Sequence, residues 1–190
     1  LKARDRAWVL SSWQVIVDEY PVMGTEIKIT TAAYEFKGFM GMRNFIIETT
    51  DGKRLAWANS NWTHLAISTG LPARLTPADT DNYVLSEKME MDYAPRKIKL
   101  SDSIIPQESF AVQKHHLDTN HHVNNCQYIC MAEDFLPEDF KVYQMRAEYK
   151  MQAKLGDTIC PKTKTEAGKV VVSLNDENGK PYAVVEFTEK

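Results

Sequence analysis

The side chains best suited to chemistry are concentrated in one polar loop, residues 115–125. This loop holds four of the chain's five histidines, together with Asp118 and Asn120. General acid–base catalysis needs such groups: a carboxylate, an amide that can hold a water molecule, and an imidazole that titrates near neutrality. The loop is therefore the candidate catalytic site, although Asp and Asn are also common where a loop simply caps a helix.

A helix is predicted immediately after this loop, over residues 123–136, and a proline ends it. The first backbone N–H groups of a helix lack partners within the helix and lie at the positive end of its dipole, so they can polarise a carbonyl group. We therefore expect Val123 and Asn124, where the helix begins, to contact substrate. Apolar side chains surround most of this helix, which indicates burial against a sheet and places Cys126 and Cys130 on a buried face.

Two other chemistries fit part of the same segment. His122, Cys126 and Cys130 are spaced by four residues along one helical face, as zinc ligands can be, but no fourth ligand is evident. A cysteine nucleophile needs an accessible thiolate, and the predicted burial of both cysteines argues against one. The sequence therefore favours acid–base chemistry with no metal and no other cofactor.

Composition and charge narrow the classes of partner. The 190 residues include 26 acidic and 23 basic side chains, so the net charge of −3 supplies no global positive field to hold a nucleic acid. No stretch approaches the roughly 18 uninterrupted apolar residues of a membrane-spanning helix. The three cysteines contain no Cys-x-x-Cys pair, which indicates reduced thiols. The sequence predicts a cytoplasmic protein that binds neither nucleic acid nor membrane.

The elements that must position the loop are predicted to be mostly β-strands. Residues 70–106 differ from the rest, because prolines interrupt them and only one short helix is expected there, near residues 76–81. Apolar and β-branched patterning predicts strands on both sides of this stretch, over residues 8–18, 25–34, 39–50, 55–67, 109–115, 142–151, 157–165, 170–174 and 181–186.

Short internal similarities indicate that the two halves are repeats. Residues 24–27 resemble residues 156–159, and residues 52–56 resemble residues 179–183, in the same order relative to the strands. An antiparallel sheet wrapped around one central helix fits each half. The offset between the repeats puts the first helix near or before residue 1. The predicted fold is therefore an α+β tandem whose first repeat lacks its N-terminal strand and helix.

The polar loop also resembles a motif of a known family, the plant and bacterial acyl-ACP thioesterases. Residues 8–13, 34–39 and 43–45 look like the first domain of that family. The resemblance implies a tandem hotdog fold, with a first hotdog in residues 1–75, a linker in residues 76–106 and a second hotdog in residues 107–190. The motif reads Asp118-x-Asn120-x-His122-Val123-Asn124-Asn125, followed by Tyr128.

The same resemblance implies hydrolysis of the thioester that links a fatty acyl chain to acyl carrier protein. It assigns His122 and Asn120 to the thioester carbonyl and the attacking water, and it assigns Asp118 to orient them. The plant enzymes place a further acid where this chain has Gln152. A glutamine can hold a water but cannot take its proton, so any general base must be His122.

The expected partner is acyl carrier protein carrying a fatty acyl chain, and a homodimer is possible. The basic run over residues 96–99 could attract an acidic carrier. Two alternatives stay open: a non-catalytic acyl-binding module, which Gln152 favours, and a broader acyl-CoA thioesterase. Four tryptophans of the first half could line an acyl tunnel, although core packing explains them more simply. They are Trp8, Trp13, Trp57 and Trp62.

Overall fold

The computed structural model describes residues 4–100 and 103–190. Residues 1–3 of the first predicted domain and residues 101–102 of the predicted linker lie outside the described residues. The chain divides into two compact units, Leu1–Arg96 and Lys97–Lys190. We call them unit 1 and unit 2.

Unit 1 is built on four long antiparallel strands, in the spatial order β2-β3-β4-β1. This confirms the four strands predicted for the first half. The strands are β1 (Arg6–Val17), β2 (Ile27–Lys37), β3 (Met40–Thr49) and β4 (Arg54–Ala66). The one α-helix among residues 4–96 is the four-residue α1 (Pro77–Thr80). At its start the Asp79 carboxylate accepts hydrogen bonds from the Thr76 N–H and hydroxyl.

A row of buried amides crosses the sheet of unit 1 and holds a segment that was predicted to be a linker. Gln14, Asn59 and Asn44 are adjacent across three strands and are almost fully buried. The Gln14 amide donates to the Asp92 carbonyl at 2.8 Å and accepts from the Ala94 N–H at 2.9 Å. Because buried polar groups need partners, this pairing ties residues 86–94, which we call the strap, to the sheet.

Unit 2 has a second antiparallel sheet, in the order β7-β10-β9-β8-β5, with β6 paired to β8. Much of its core lies on β9 and β10, where most of the apolar side chains are completely buried. The elements are β5 (Ile105–Pro106), β6 (Phe110–Ala111), α2 (Asn125–Glu133), β7 (Val142–Tyr149), β8 (Thr158–Glu166), β9 (Lys169–Asn175) and β10 (Pro181–Glu189), with a 3₁₀ turn at Lys114–His116.

The two units share one strand order, since β8-β9-β10-β7 of unit 2 corresponds to β2-β3-β4-β1 of unit 1. Their matched hairpins also share geometry. Gly52 and Gly179 both have left-handed backbones, with φ of +91° and +79°. The Lys53 N–H bonds the Thr49 side chain, as the Lys180 N–H bonds the Asp176 side chain. The sequence similarities therefore fall on equivalent turns.

Helix α2 is shorter than the sequence predicted, and one expectation about it was wrong. It spans nine residues, and its buried side chains are Tyr128, Met131 and Ala132. Cys126 and Cys130, expected on a buried face, are exposed. At 3.6 residues per turn they lie on the side away from the buried face, and counting thiols as apolar concealed this amphipathic pattern. No helix of the described residues is long and apolar enough to cross a membrane.

Candidate active site

The candidate site is formed by three short extended segments of unit 2, in chain order residues 116–118, 122–124 and 152–154. The first pairs with the second: the Asp118 N–H bonds the His122 carbonyl at 2.8 Å, and the Asn124 N–H bonds the His116 carbonyl at 2.9 Å. The second pairs with the third through the Val123 N–H, which bonds the Ala153 carbonyl at 2.9 Å. Residues 122–124 are therefore the middle of a small antiparallel arrangement.

A tight turn connects the first two segments. Its last residue, His121, has a left-handed backbone with φ of +61° and donates its N–H to the Asp118 carbonyl at 3.1 Å. The Asp118 carboxylate accepts from the Asn120 N–H at 2.8 Å and from the His122 N–H at 3.3 Å. This is the side-chain turn that Asp commonly forms, and three-residue hairpin loops often place a left-handed residue at this position.

These hydrogen bonds also set the charge of the loop. Burial by itself raises the pKa of Asp118, but the N–H groups of Asn120 and His122 outweigh it and lower that pKa below its ordinary value. The Asn120 side-chain amide lies 3.4 Å from the same carboxylate. Asp118 is therefore an ionised anchor that shapes the loop around Asn120.

The antiparallel register sorts the side chains of the site onto two faces. Leu117 pairs directly with Val123, and His122 pairs directly with Lys154. Side chains alternate along extended chains, so Val123 and Ala153, 4% and 0% exposed, face the core. Asp118, His122 and Lys154 form a row on the opposite, accessible face.

Continuing the same register by two residues gives a second row on the accessible face, made of His116, Asn124 and Gln152. Gln152 is exposed and follows β7, whereas the rest of the site precedes α2. Burial and the neighbouring His115 lower the pKa of His116, whose Nδ1 faces the Gln113 N–H at 2.9 Å. The structure thus brings Asp118, Asn120, His122, Asn124 and Gln152 to one surface.

The N-terminus of α2 differs from the sequence expectation. The helix begins at Asn125 rather than at Val123, and the Asn124 side chain caps it by accepting the Cys126 N–H at 2.9 Å. The backbone N–H groups of Val123 and Asn124 already bond carbonyls of the flanking segments. Contact of these two residues with substrate stays a prediction, and Asn124 has its side chain on the accessible face while Val123 does not.

Two tyrosines join α2 to the third segment. The buried Tyr128 hydroxyl accepts the Ala153 N–H at 2.8 Å, and burial raises its pKa to about 12. The Tyr149 hydroxyl donates to the Asn125 carbonyl at 3.2 Å. These two bonds tie the start of α2 to β7 and to the segment that carries Gln152.

The alternative zinc site receives no support from the geometry. No group of three or more His, Cys, Asp or Glu side chains among residues 4–100 and 103–190 is arranged to hold a metal ion. His122, Cys126 and Cys130 are therefore not assembled as a ligand set.

A pocket of about 170 Å³ lies in unit 1. Of the four tryptophans, Trp8 and Trp62 line this pocket. The Trp13 ring instead packs on the Phe45 ring, with the ring centroids 4.9 Å apart, and the Arg54 guanidinium lies 4.2 Å from the centroid of the Trp57 ring. The remaining lining residues are mostly apolar and come from β2, β3 and the region after α1. They are Ala33, Phe36, Gly41, Met42, Arg43 and Tyr83.

Comparison with known proteins identifies the family. Residues 1–83 match the model of the acyl-ACP thioesterase N-terminal domain, and residues 100–187 match the model of the acyl-ACP thioesterase C-terminal domain. The chain belongs to the acyl-ACP thioesterase family. The resemblance stated from the motif is thereby confirmed, with both domain models found in their natural order.

Individual relatives are plant enzymes and solved thioesterases. A chloroplastic acyl-[acyl-carrier-protein] hydrolase of Cuphea viscosissima is 25% identical over 169 residues, 82% of this chain and 40% of the relative. A chloroplastic palmitoyl-acyl carrier protein thioesterase of Cuphea hookeriana is 30% identical over 139 residues, 66% of this chain and 32% of the relative. The chain therefore spans at most about 40% of the length of these plant relatives.

Solved structures show the same fold at low identity. An acyl-ACP thioesterase from Bacteroides thetaiotaomicron superposes with a TM-score of 0.91 at 20% identity, covering all of this chain and 79% of its own. The 12:0-ACP thioesterase from Umbellularia californica has a TM-score of 0.87 at 17% identity, covering 100% and 77%. A MaoC-like dehydratase from Phytophthora capsici reaches 0.65 at 14% identity, covering 96% and 72%. The mostly antiparallel architecture is thus that of hotdog proteins.

Sequence reasoning missed one accessible residue that lies beside the candidate site. Lys154 lies on the third segment, 32 positions from His122, and only the pairing of the two segments brings them together. A local motif search could not detect it, because the pairing is set by the position of β7 relative to the loop. The alternation after Tyr149 was the one available signal.

Proposed function

We propose that this chain hydrolyses the thioester between a fatty acyl chain and acyl carrier protein, releasing a fatty acid and the free carrier. Family membership supports the reaction class. The main observation that supports thioester hydrolysis by this chain is the accessible row in which Asp118 and His122 are paired. Asn120 is held at the turn between them. These are the residues that a water-mediated acyl transfer needs.

In the proposed mechanism, His122 is the general base. Its imidazole takes a proton from a water held by the Asn120 and Gln152 amides, and the water oxygen attacks the thioester carbonyl. The tetrahedral intermediate then collapses with cleavage of the carbon–sulfur bond, and the imidazolium returns the proton to the departing sulfur. Asp118 holds the turn and keeps a negative charge beside the imidazolium. Among the described residues, no hydrogen bond occupies the His122 ring, which leaves it available to water and substrate.

The acyl chain is proposed to bind in the pocket of unit 1. Its wall of aromatic and apolar side chains matches an unbranched hydrocarbon, and Met42 can adapt to different chain ends. Acyl carrier protein is the proposed partner, and Arg96, Lys97 and Lys99 are exposed and can attract an acidic carrier. The homodimer and the cytoplasmic location stay predictions.

The finer architecture is also a proposal. Each unit is interpreted as one hotdog repeat, which the shared strand order and matched hairpins support. Helix α2 would be the central helix of the second repeat. Among the described residues 4–96, α1 is the one α-helix, and the missing first strand and helix stay a prediction from the repeat offset.

The decisive experiment is hydrolysis of acyl-ACP by the wild type and by His122→Ala. Removing a general base costs roughly 100- to 10,000-fold in rate. His115→Ala is the matched control, since His115 is an exposed neighbour in the same loop, and it should keep wild-type activity. Equal rates for wild type and His122→Ala would remove His122 from the mechanism.

A non-catalytic acyl-binding module is the second candidate, because Gln152 stands where the plant enzymes are expected to carry an acid. Binding of acyl-ACP by the wild type without measurable turnover would favour it. Competition between acyl-ACP and acyl-CoA for the wild type separates a carrier-protein thioesterase from a broader one.

A further inference from the structure

We propose that Lys154 binds the carbonyl oxygen of the substrate and stabilises the negative charge that develops there. The proposal rests on the proposed thioesterase function and assigns a residue that neither the motif nor the family resemblance includes. It follows from the pairing of Lys154 with His122 on the accessible face.

The pairing is of the close kind found in antiparallel sheets. The bond from the Val123 N–H to the Ala153 carbonyl flanks the His122–Lys154 pair, which identifies it as a non-hydrogen-bonded pair. In such pairs the Cβ atoms lie about 4.5–5.5 Å apart and both side chains project to the same side. The flexible four-carbon stem of Lys154 can therefore place its ammonium beside the His122 imidazole.

The surrounding charges leave the Lys154 ammonium available. Asp157 accepts the backbone N–H of Lys154 at 2.9 Å, and Asp118 is occupied by N–H groups of its own loop. No ion pair to Lys154 occurs among residues 4–100 and 103–190, and the residue is exposed. Lys150, four residues earlier, is instead paired with Glu148 at 2.9 Å.

Thioester hydrolysis creates negative charge at the position that Lys154 can reach. When the water oxygen forms its bond to the carbonyl carbon, the carbonyl electrons move to oxygen and form an oxyanion. When the carbon–sulfur bond breaks, those electrons return to carbon, sulfur leaves with the bonding pair and takes the proton from His122, and the acid product ionises to a carboxylate. An ammonium held beside His122 interacts with the oxyanion and with the product carboxylate, and more weakly with the neutral thioester.

The first experiment compares Lys154→Gln and Lys154→Arg in steady-state hydrolysis of acyl-ACP. Loss of one oxyanion donor typically costs 100- to 1,000-fold in kcat. We expect a fall of that order for Lys154→Gln with KM little changed, and substantial recovery in Lys154→Arg because the charge is kept. Lys180→Gln, at an exposed hairpin turn of the same unit, is the control and should match the wild type. A Lys154→Gln enzyme as active as this control would overturn the proposal.

The second experiment needs no turnover, so it separates failure of this proposal from failure of the proposed function. Calorimetry measures binding of decanoate and decanol to the full chain and to each variant. We expect Lys154→Gln to lose affinity for decanoate while its affinity for decanol is unchanged, and added salt to weaken the decanoate binding of the wild type. Equal loss of both ligands, or loss of neither, would contradict a charge contact, whether or not the wild type hydrolyses acyl-ACP.

Discussion

At the scale of single residues, Asp118 has a structural role in the loop besides the catalytic role proposed for it. Asp118 accepts two backbone N–H groups, so it would be needed for the turn even in a protein without activity. Its hydrogen bonds lower its pKa against the effect of burial. The structural and the catalytic contributions therefore have to be separated by substitutions that remove one of them at a time.

Asp118→Asn makes that separation. The asparagine oxygen can still accept the Asn120 and His122 N–H groups, so the variant should unfold within about 1 kcal/mol of the wild type, while hydrolysis falls because the charge beside His122 is lost. Asp118→Ala should lose stability as well, by about 0.5–1.5 kcal/mol for each of the two hydrogen bonds that are lost. Urea unfolding and kcat of both variants test this, and an Asp118→Asn enzyme with full activity would show that the charge is unnecessary.

The lowered pKa also predicts a pH dependence with a definite sign. A carboxyl group whose pKa is lower in the folded state stabilises the fold above its unfolded pKa of about 3.9, and that contribution is lost as the pH falls through the folded value. The stability advantage of wild type over Asp118→Asn should therefore be present at neutral pH and disappear in strong acid. An advantage that stays constant or grows as the pH falls would contradict it.

At the scale of elements, unit 1 places polar side chains where a sheet normally packs apolar ones. The amides of Gln14 and Asn44 reach the strap, and Asn44 accepts from the Met89 N–H at 3.2 Å and the Tyr93 hydroxyl at 3.1 Å. A proline-interrupted stretch with little secondary structure is thereby held in one conformation. Buried hydrogen bonds replace the regular pairing that this segment lacks.

Substitution of either amide should loosen the strap. Asn44→Ala leaves the Met89 N–H and the Ala58 carbonyl without their side-chain partner, and each buried group left unsatisfied costs about 1–3 kcal/mol. Asn82→Ala, an exposed asparagine just before the strap, is the matched control and should change the free energy of unfolding by less than about 0.5 kcal/mol. Hydrogen exchange of the strap amides should rise in Asn44→Ala alone. Equal stability of the two variants would show that the strap does not depend on Asn44.

At the scale of the whole molecule, the proposed chemistry and the proposed acyl pocket belong to different units. The row around His122 lies in unit 2, and the aromatic pocket lies in unit 1. Changes in the pocket should then alter which acyl chain is preferred without removing the reaction. Gly41 offers the sharpest test of this division.

A Cβ added at Gly41 would lie 3.0 Å from the Trp8 ring and 3.1 Å from the Phe36 ring, so both rings would have to shift. We expect Gly41→Ala to lower kcat/KM for long acyl chains more than for short ones, because overpacking reduces the room in the pocket. Rates with a series of acyl-ACP chain lengths, alongside Gly52→Ala as a control with nothing within 4 Å of the added Cβ but a strained turn, measure this. An equal loss at every length would indicate general destabilisation instead.

Much of this protein could be predicted from local sequence. Strand patterning, the turn at Gly52 and its counterpart at Gly179, and the short helix after Thr76 all depend on neighbours in the chain, and the structure agrees with most of them. The strand predicted over residues 109–115 is the exception, since only Phe110–Ala111 is a strand and Lys114–His116 forms a 3₁₀ turn. The loop from Asp118 to His122 was recognisable for the same reason, since its hydrogen bonds join residues at most four positions apart.

Only the tertiary structure decided the features that depend on distant partners. The exposure of Cys126 depends on which face of α2 packs against the rest of unit 2. The single conformation of the strap depends on side-chain amides that lie 45 to 80 positions away in the sequence. Lys154 becomes a neighbour of His122 because two extended segments pair across 32 positions. The sequence by itself determined which chemical groups the site contains. Long-range pairing decided which of them share a face, because side-chain direction in extended chains depends on register and no local pattern encodes the register between distant segments.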